Sequence, residues 1–202
     1  MDRTTIAAIP LGSLIIGVVL WMWGQPLISA SGQVELWVNQ TWSSENSQQI
    51  ADWYTLSHII HGFLIALIGR ALWRHVSWRV VVAVAVFTGI AWEIVEHTDI
   101  VLNHFRSQTI YQGYVGDTVL NAVCDYVFML SGFLIGGTLP VGAILAATVA
   151  MEALSSYIAR DSLILTTLRV VYPVQAISDW QDEINPLKTA DGELDSVPAV
   201  AP

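Results

Sequence analysis

Residues 56–95 read LSHIIHGFLIALIGRALWRHVSWRVVVAVAVFTGIAWEIV, and this stretch decides the fold. Two apolar runs, about Leu56 to Leu72 and Val80 to Val95, flank a short link carrying Arg70, Arg74 and Arg79. Each run approaches the roughly 20 residues that a helix needs to cross a hydrocarbon core. The stretch therefore predicts two membrane-spanning helices joined by a tight cationic turn.

The signature recurs on both sides. A first apolar run goes from about Ile6 to Trp23. It reads as a retained anchor rather than a cleaved signal peptide. Arg3 precedes it and Ser29, Ala30 and Ser31 follow, but the run is long for a signal and Trp21 and Trp23 lie late in it. A fourth span covers about Thr118 to Leu139, Pro140 marks a tight turn, and a fifth span runs from about Val141 to Ile158. Polar connections fill roughly Gly24 to Asp52 and Thr98 to Gly116. Trp21, Trp23, Trp37, Trp42 and Trp53 bracket the first of them, as an interfacial aromatic belt would. Ser162, Thr166, Arg169 and Pro173 form a polar stripe on the apolar segment Ser162 to Ile177, which is short for a span. An interfacial helix lying along the membrane fits it best; a sixth span with its stripe turned inward is the alternative.

The expected fold is thus all-α, a polytopic transmembrane bundle of about five spans plus an interfacial amphipathic helix. It occupies residues 1–178, with an acidic, disordered tail over 179–202. In that tail Asp179, Asp182, Glu183, Asp191, Glu193 and Asp195 face only Lys188. Composition agrees: 54% of the 202 residues are hydrophobic and 12% charged, where a soluble domain carries about a quarter charged. No basic patch with interleaved aromatics exists, which argues against nucleic acid as a partner. Cys124 is the only cysteine, so no internal disulfide forms. Arginines crowd the link between spans two and three, whereas the connection before span two has neither Lys nor Arg. By the positive-inside rule the link and the N-terminus are cytoplasmic, and the long polar connections face outward from a bacterial inner membrane.

That topology gives each intramembrane polar residue a depth. His58 and His61 lie near the outer start of span two, three residues apart and so on one face. Glu93, Glu96 and His97 lie at the outer end of span three. Asp117, Asn121 and Asp125 run inward along span four, with Asp125 roughly 12 Å below Asp117. Glu152 lies near the outer end of span five, followed by Arg160 and Asp161. The inner halves hold no ionisable group apart from Tyr126. A charge in hydrocarbon costs several kcal/mol unless paired or hydrated, so four helices sharing one polar layer imply a common cavity. Each residue also has a plainer reading. The histidines suit a helix start at the interface, Asp117 an N-cap, Glu96 and His97 the water boundary, and Arg160 a surface pair with Asp161. Asp125, two turns inside a span, needs a partner: a histidine, Arg160 or a cation.

Imidazoles beside carboxylates suit Zn, Mn or Fe. His58, His61 and Glu93 or His97 are the candidate ligands, leaving a position for a water that the metal acidifies for attack on a phosphate or acyl bond. Asp125, Asp117 and Glu96 are the candidate catalytic groups, and Asn121, Glu152 and Arg160 the candidate binding groups. No H-E-x-x-H run, histidine box, G-x-S-x-G elbow or phosphate loop occurs.

The runs LSHIIHGF from Leu56, AWEIVEH from Ala91, YVGDTVLNAVCD from Tyr114 and YIARDSLIL from Tyr157 resemble the bacterial inner-membrane domain-of-unknown-function family 2585. The likeness covers roughly Tyr54 to Trp180. More distantly, the pattern is similar to YjdF-like proteins, and its Asp-Asn element to VanZ-like membrane proteins, a group linked to glycopeptide-antibiotic resistance. The resemblance implies a polytopic inner-membrane protein and supports grouping His58, His61, Glu93, Glu96, Asp117, Asn121 and Asp125. It leaves His97 outside the shared pattern and implies no particular activity. Two functions stay open at this point. One is a metal-dependent membrane hydrolase or transferase acting on a lipid or lipid-linked head group. The other is a non-catalytic protein binding an ion, a membrane lipid or a partner subunit. A small transporter fits less well, because transport needs polar lining through both halves of the membrane.

Overall fold

The computed structural model describes residues 3–72, 75–106, 114–172 and 174–185, with side chains from Ile9 onward except that of Val170. Eight helices are found among them: α1 Arg3–Met22, α2 Thr55–Leu72, α3 Trp78–Glu96, α4 Asp99–Arg106, α5 Val119–Gly136, α6 Val141–Ala159, α7 Leu163–Val171 and α8 Gln175–Asp182. No strand occurs among the described residues. By length and composition α2, α3, α5 and α6 are each able to cross a membrane, while the apolar part counted in α1, Ile9–Met22, is shorter. Arg74, Gln108, Pro173 and the tail beyond 185 lie outside the described residues.

The bundle is built on α2 and α5, which pack on each other more extensively than any other pair. Association between apolar helices in lipid depends on close backbone approach at small residues, and here Gly62 faces Gly132. A Cβ on Gly62 would run into the Met129 carbonyl and the Phe133 amide, and one on Gly132 into the Ile59 carbonyl. The crossing sets the site. His58 stands one turn above Gly62 and Asp125 two turns above Gly132, so the two residues face each other at the same end of the bundle. α1 and α3 pack on α5, and α6 on α2. Ile16, Ala66, Ala85, Tyr126 and Phe133 fill the centre, while large apolar side chains such as Phe87 (72% exposed) and Val149 (68%) turn outward, as lipid-facing residues do.

The two ends differ. At one end Arg70 donates to the carbonyls of Gly136 (3.0 Å) and Leu139 (2.6 Å), so a cation covers the unsatisfied C-terminus of α5. At the other end the connection 24–54 folds back over the bundle. Val38 N–H donates to the Ala51 carbonyl and Ile50 N–H to that of Glu35, pairing the arms of this loop. Its tip is tied to α5. Thr118, the N-cap, donates from its hydroxyl to Gln48 O at 3.0 Å, Asn121 donates to Gln49 O at 2.8 Å, and Gln48 donates to Gly116 O at 2.9 Å.

The segment expected as one interfacial helix or a sixth span is two short helices. Nine residues of α7 reach only about 14 Å, half a hydrocarbon core, so α7 does not cross. α8 runs four residues into the stretch expected as tail: its Gln181 is fully buried, receives the guanidinium of Arg169 (2% exposed), and donates to Arg160 O at 2.8 Å.

Candidate functional site

The polar layer converges at the end covered by the 24–54 connection. Glu93, on the last turn of α3, is 1% exposed; Asp125, inside α5, is 3% exposed. His58 on α2 lies between them, with Nδ1 3.5 Å from Glu93 Oε1 and Nε2 3.7 Å from Asp125 Oδ2. Both separations are longer than a direct hydrogen bond, so the imidazole is poised between two carboxylates without being committed to either. Asp125 takes the Thr55 hydroxyl at 3.1 Å, and Thr55 Oγ1 in turn accepts the Asp52 N–H at 3.1 Å. The covering loop is thereby wired to the deepest acid of the site.

A tighter group lies beside this one. Glu93, Glu96 and Asp117 each offer an oxygen within 4.8 Å of the other two. Glu93 Oε2 and Glu96 Oε2 are buried without a hydrogen-bond partner. Asp117 is held by the Tyr114 hydroxyl at 2.6 Å. Burial pushes its carboxyl above the ordinary carboxylate range, while the Tyr114 bond opposes that rise. Like charges at this spacing resist joint ionisation.

His97 is a strut of this arrangement. Its Nδ1 donates to the Glu93 carbonyl at 2.7 Å, and its Nε2 accepts the Asp117 N–H at 2.9 Å. A carbonyl only accepts and an amide N–H only donates, so the ring is the neutral Nδ1–H tautomer with no lone pair left for a metal. Expected as a ligand, His97 instead fixes α3 against the start of α5. His61 does not join the converging acids; its ring meets His58 at 6.1 Å and Trp92 at 5.8 Å, between centroids. Asp117 is not the N-cap of α5, since Thr118 accepts the Asn121 N–H at 3.1 Å.

The remaining candidates lie apart. Glu152 accepts the Ile164 N–H at 3.1 Å and so caps α7. Arg160, in a left-handed conformation (φ 56°), pairs with Glu183 at 3.0 Å and lies over the Trp180 ring at 4.5 Å. It is therefore not the partner of Asp125. Asp161 accepts from Ser162 N–H, Thr166 and Tyr54, holding α7 to the rim of the pocket.

These walls enclose a pocket of about 70 Å³, lined among others by Tyr54, His58, His61, Glu96, Asp117 and Asp125. Beside it, sharing His58, His61 and Trp92, a cleft of about 160 Å³ runs between α2 and α3. Sequence reading did not mark Ser47, Asp52, Tyr54, Thr55 or Tyr114. Asp52 is buried, and burial raises its carboxyl to about 6 against backbone hydrogen bonds that hold it down, those from the Ser47 and Tyr54 N–H groups first. The available signal was its place three residues before a spanning helix, in a connection almost without charge.

Fold and site together define a polytopic helical membrane protein with a histidine and carboxylate pocket at one end of its bundle. The chain belongs to the family described as "Protein of unknown function (DUF2585)", which matches residues 20–183. It is similar to a UPF0314 protein of Paracoccus denitrificans, 41% identical over 168 residues that cover 81% of this chain and 84% of that one. A UPF0314 protein of Rhizobium meliloti is 41% identical over 172 residues (85% and 87%), and one of Sphingopyxis alaskensis 40% over 176 (87% and 93%). No solved structure matches the chain.

Proposed function

We propose that this is an inner-membrane protein whose polar pocket faces the periplasm, holds a divalent cation, and acts as a hydrolase or transferase on the head group of a lipid or lipid-linked molecule. The observation that carries the reading is the convergence of Glu93, Glu96 and Asp117, with buried unpartnered oxygens on both glutamates. A cation relieves their mutual repulsion. Of Zn, Mn and Fe, an all-oxygen donor set favours Mn, and Mg equally. Such a cation acidifies a bound water at neutral pH. His58, between Glu93 and Asp125, is placed to take a proton. Tyr54, Ser57 and Trp92 wall the space for a head group.

The orientation rests on cation density. Arg70, Arg74 and Arg79 sit in one short link. The cations at the polar end are spread over separate segments, with Arg160 paired and Arg169 buried.

Metal content of detergent-purified protein equilibrated with Mn²⁺ tests the reading. The parent should retain Mn²⁺, Asp117→Asn and Glu96→Gln should lose it, and chelator should lower the parent's thermal stability. A parent that keeps no metal and is indifferent to Mn²⁺ and to chelator would refute it. A non-catalytic ion-binding role is the second reading, favoured by pocket size: about 70 Å³ holds a cation and a handful of waters. Head-group cleavage of phospholipid vesicles by Mn²⁺-loaded protein, followed by mass spectrometry, separates the two.

A further inference from the structure

The cleft between α2 and α3 is unlike the polar pocket it adjoins. Below His58 and His61 its walls are Leu64, Ile65 and Ile68 on α2, Thr88 on α3, and Met129 as a floor on α5. It exists because α2 packs chiefly on α5 and only sparingly on α3. Leu64 and Ile68 are exposed at its mouth. Both walls are spanning helices, so the mouth opens sideways at membrane depth, where hydrocarbon and not water is the solvent. From His58 to Ile68 the cleft runs about 15 Å along the helix axis at about 1.5 Å per residue, and half of a hydrocarbon core of about 30 Å is the same length. An apolar slot one leaflet deep, ending in a histidine and carboxylate pocket, has the polarity profile of a single lipid chain with its head group.

We propose that this cleft is a chain slot. A lipid of the leaflet at the polar end enters sideways, lays one hydrocarbon chain along Leu64, Ile65, Ile68 and Met129, and presents its head past His61 and Trp92 to the polar pocket. The T-shaped contact of His61 with Trp92 stands at the junction, since both residues line pocket and cleft. The slot deepens the proposed function by naming the substrate class as a membrane lipid, and it rests on that reading only for the fate of the head group.

The test is photo-crosslinking in phosphatidylethanolamine vesicles containing phosphatidylglycerol with a diazirine in one acyl chain. Adducts mapped by mass spectrometry should fall on Leu64, Ile65, Ile68 and Thr88 several-fold more often than on Leu145 and Val149, which are exposed on α6 and line neither the pocket nor this cleft. Thr88→Phe, placed on the exposed wall, should bring cleft labelling down to the α6 level and leave α6 labelling unchanged; Leu64→Phe is the second variant should the first not fold. Cleft labelling equal to the α6 background in the parent would overturn the slot. So would chain-to-chain crosslinking through Thr88→Cys in a Cys124→Ser background, which would make the cleft a contact between copies. The metal measurement is separate: a metal-free parent that still labels in the cleft sinks the cation and leaves the slot standing.

Discussion

Replacing Gly132 with alanine should weaken the bundle at the crossing that places the site. The added Cβ would lie 3.0 Å from Ile59 Cα and carbonyl carbon, and closer still to the Ile59 carbonyl oxygen. Ordinary carbon contacts are about 3.5–4.0 Å, so α2 and α5 must part by on the order of 1 Å. The obstacle is backbone, which cannot rotate away as a side chain would. Overpacking of this kind costs about 1–3 kcal/mol, partly offset by the gain of up to about 1 kcal/mol from replacing glycine in a helix. The expected net loss is about 1–2 kcal/mol. Gly142→Ala on α6 is the control, because nothing lies within 4 Å of a Cβ there, and it should be neutral or slightly stabilising. Unfolding by SDS titration in mixed micelles, followed by far-UV circular dichroism, measures both. The same parting should lengthen the Thr55 to Asp125 hydrogen bond, now 3.1 Å, and so loosen the covering loop to proteolysis. A Gly132→Ala protein as stable as Gly142→Ala would refute the claim that this crossing holds the helices together.

Two further outcomes follow from the two ends of the bundle. A cysteine at Ser77, in a Cys124→Ser background, should resist a membrane-impermeant maleimide in intact cells and react after lysis; labelling from outside would reverse the orientation and put the pocket in the cytoplasm. Burial raises Asp52 to about 6, so the folded chain holds a proton that the unfolded chain releases near pH 4, and stability should fall as pH climbs through about 6. Asp52→Asn should remove that part of the slope in pH-dependent melting, and an identical slope in both proteins would show that Asp52 is not its source.

Much of this architecture is legible in a linear reading, because a spanning helix announces itself locally. Each segment must be apolar over its own length, so the runs after Leu56, Val80, Thr118 and Val141 mark α2, α3, α5 and α6 within a few residues. The depth of a polar residue is also a local property, a matter of counting along a helix. Counting along the helices puts His58, Glu93, Asp117 and Asp125 in one layer, and the structure brings them close to one another. Rotation about the helix axis and the path of connections are not local. Whether His97 turns a free nitrogen toward a metal or commits both to backbone depends on where the Asp117 amide comes to rest, and that is decided by α3 packing beside α5. Glu152 sits at the right depth and still serves α7, because the turn at Arg160 brings the Ile164 amide over it. In the sequence, Gly24 to Asp52 reads as a plain polar connection. Only tertiary structure turns Gln48 and Gln49 inward, since their partners lie about 70 residues away on α5 and its approach. Sequence by itself determined which segments enter the membrane and how deep each polar group lies, since lipid imposes its demand residue by residue. Which of those groups meet was left to the Gly62 and Gly132 crossing and the folded-back loop, whose contacts join residues distant in the chain.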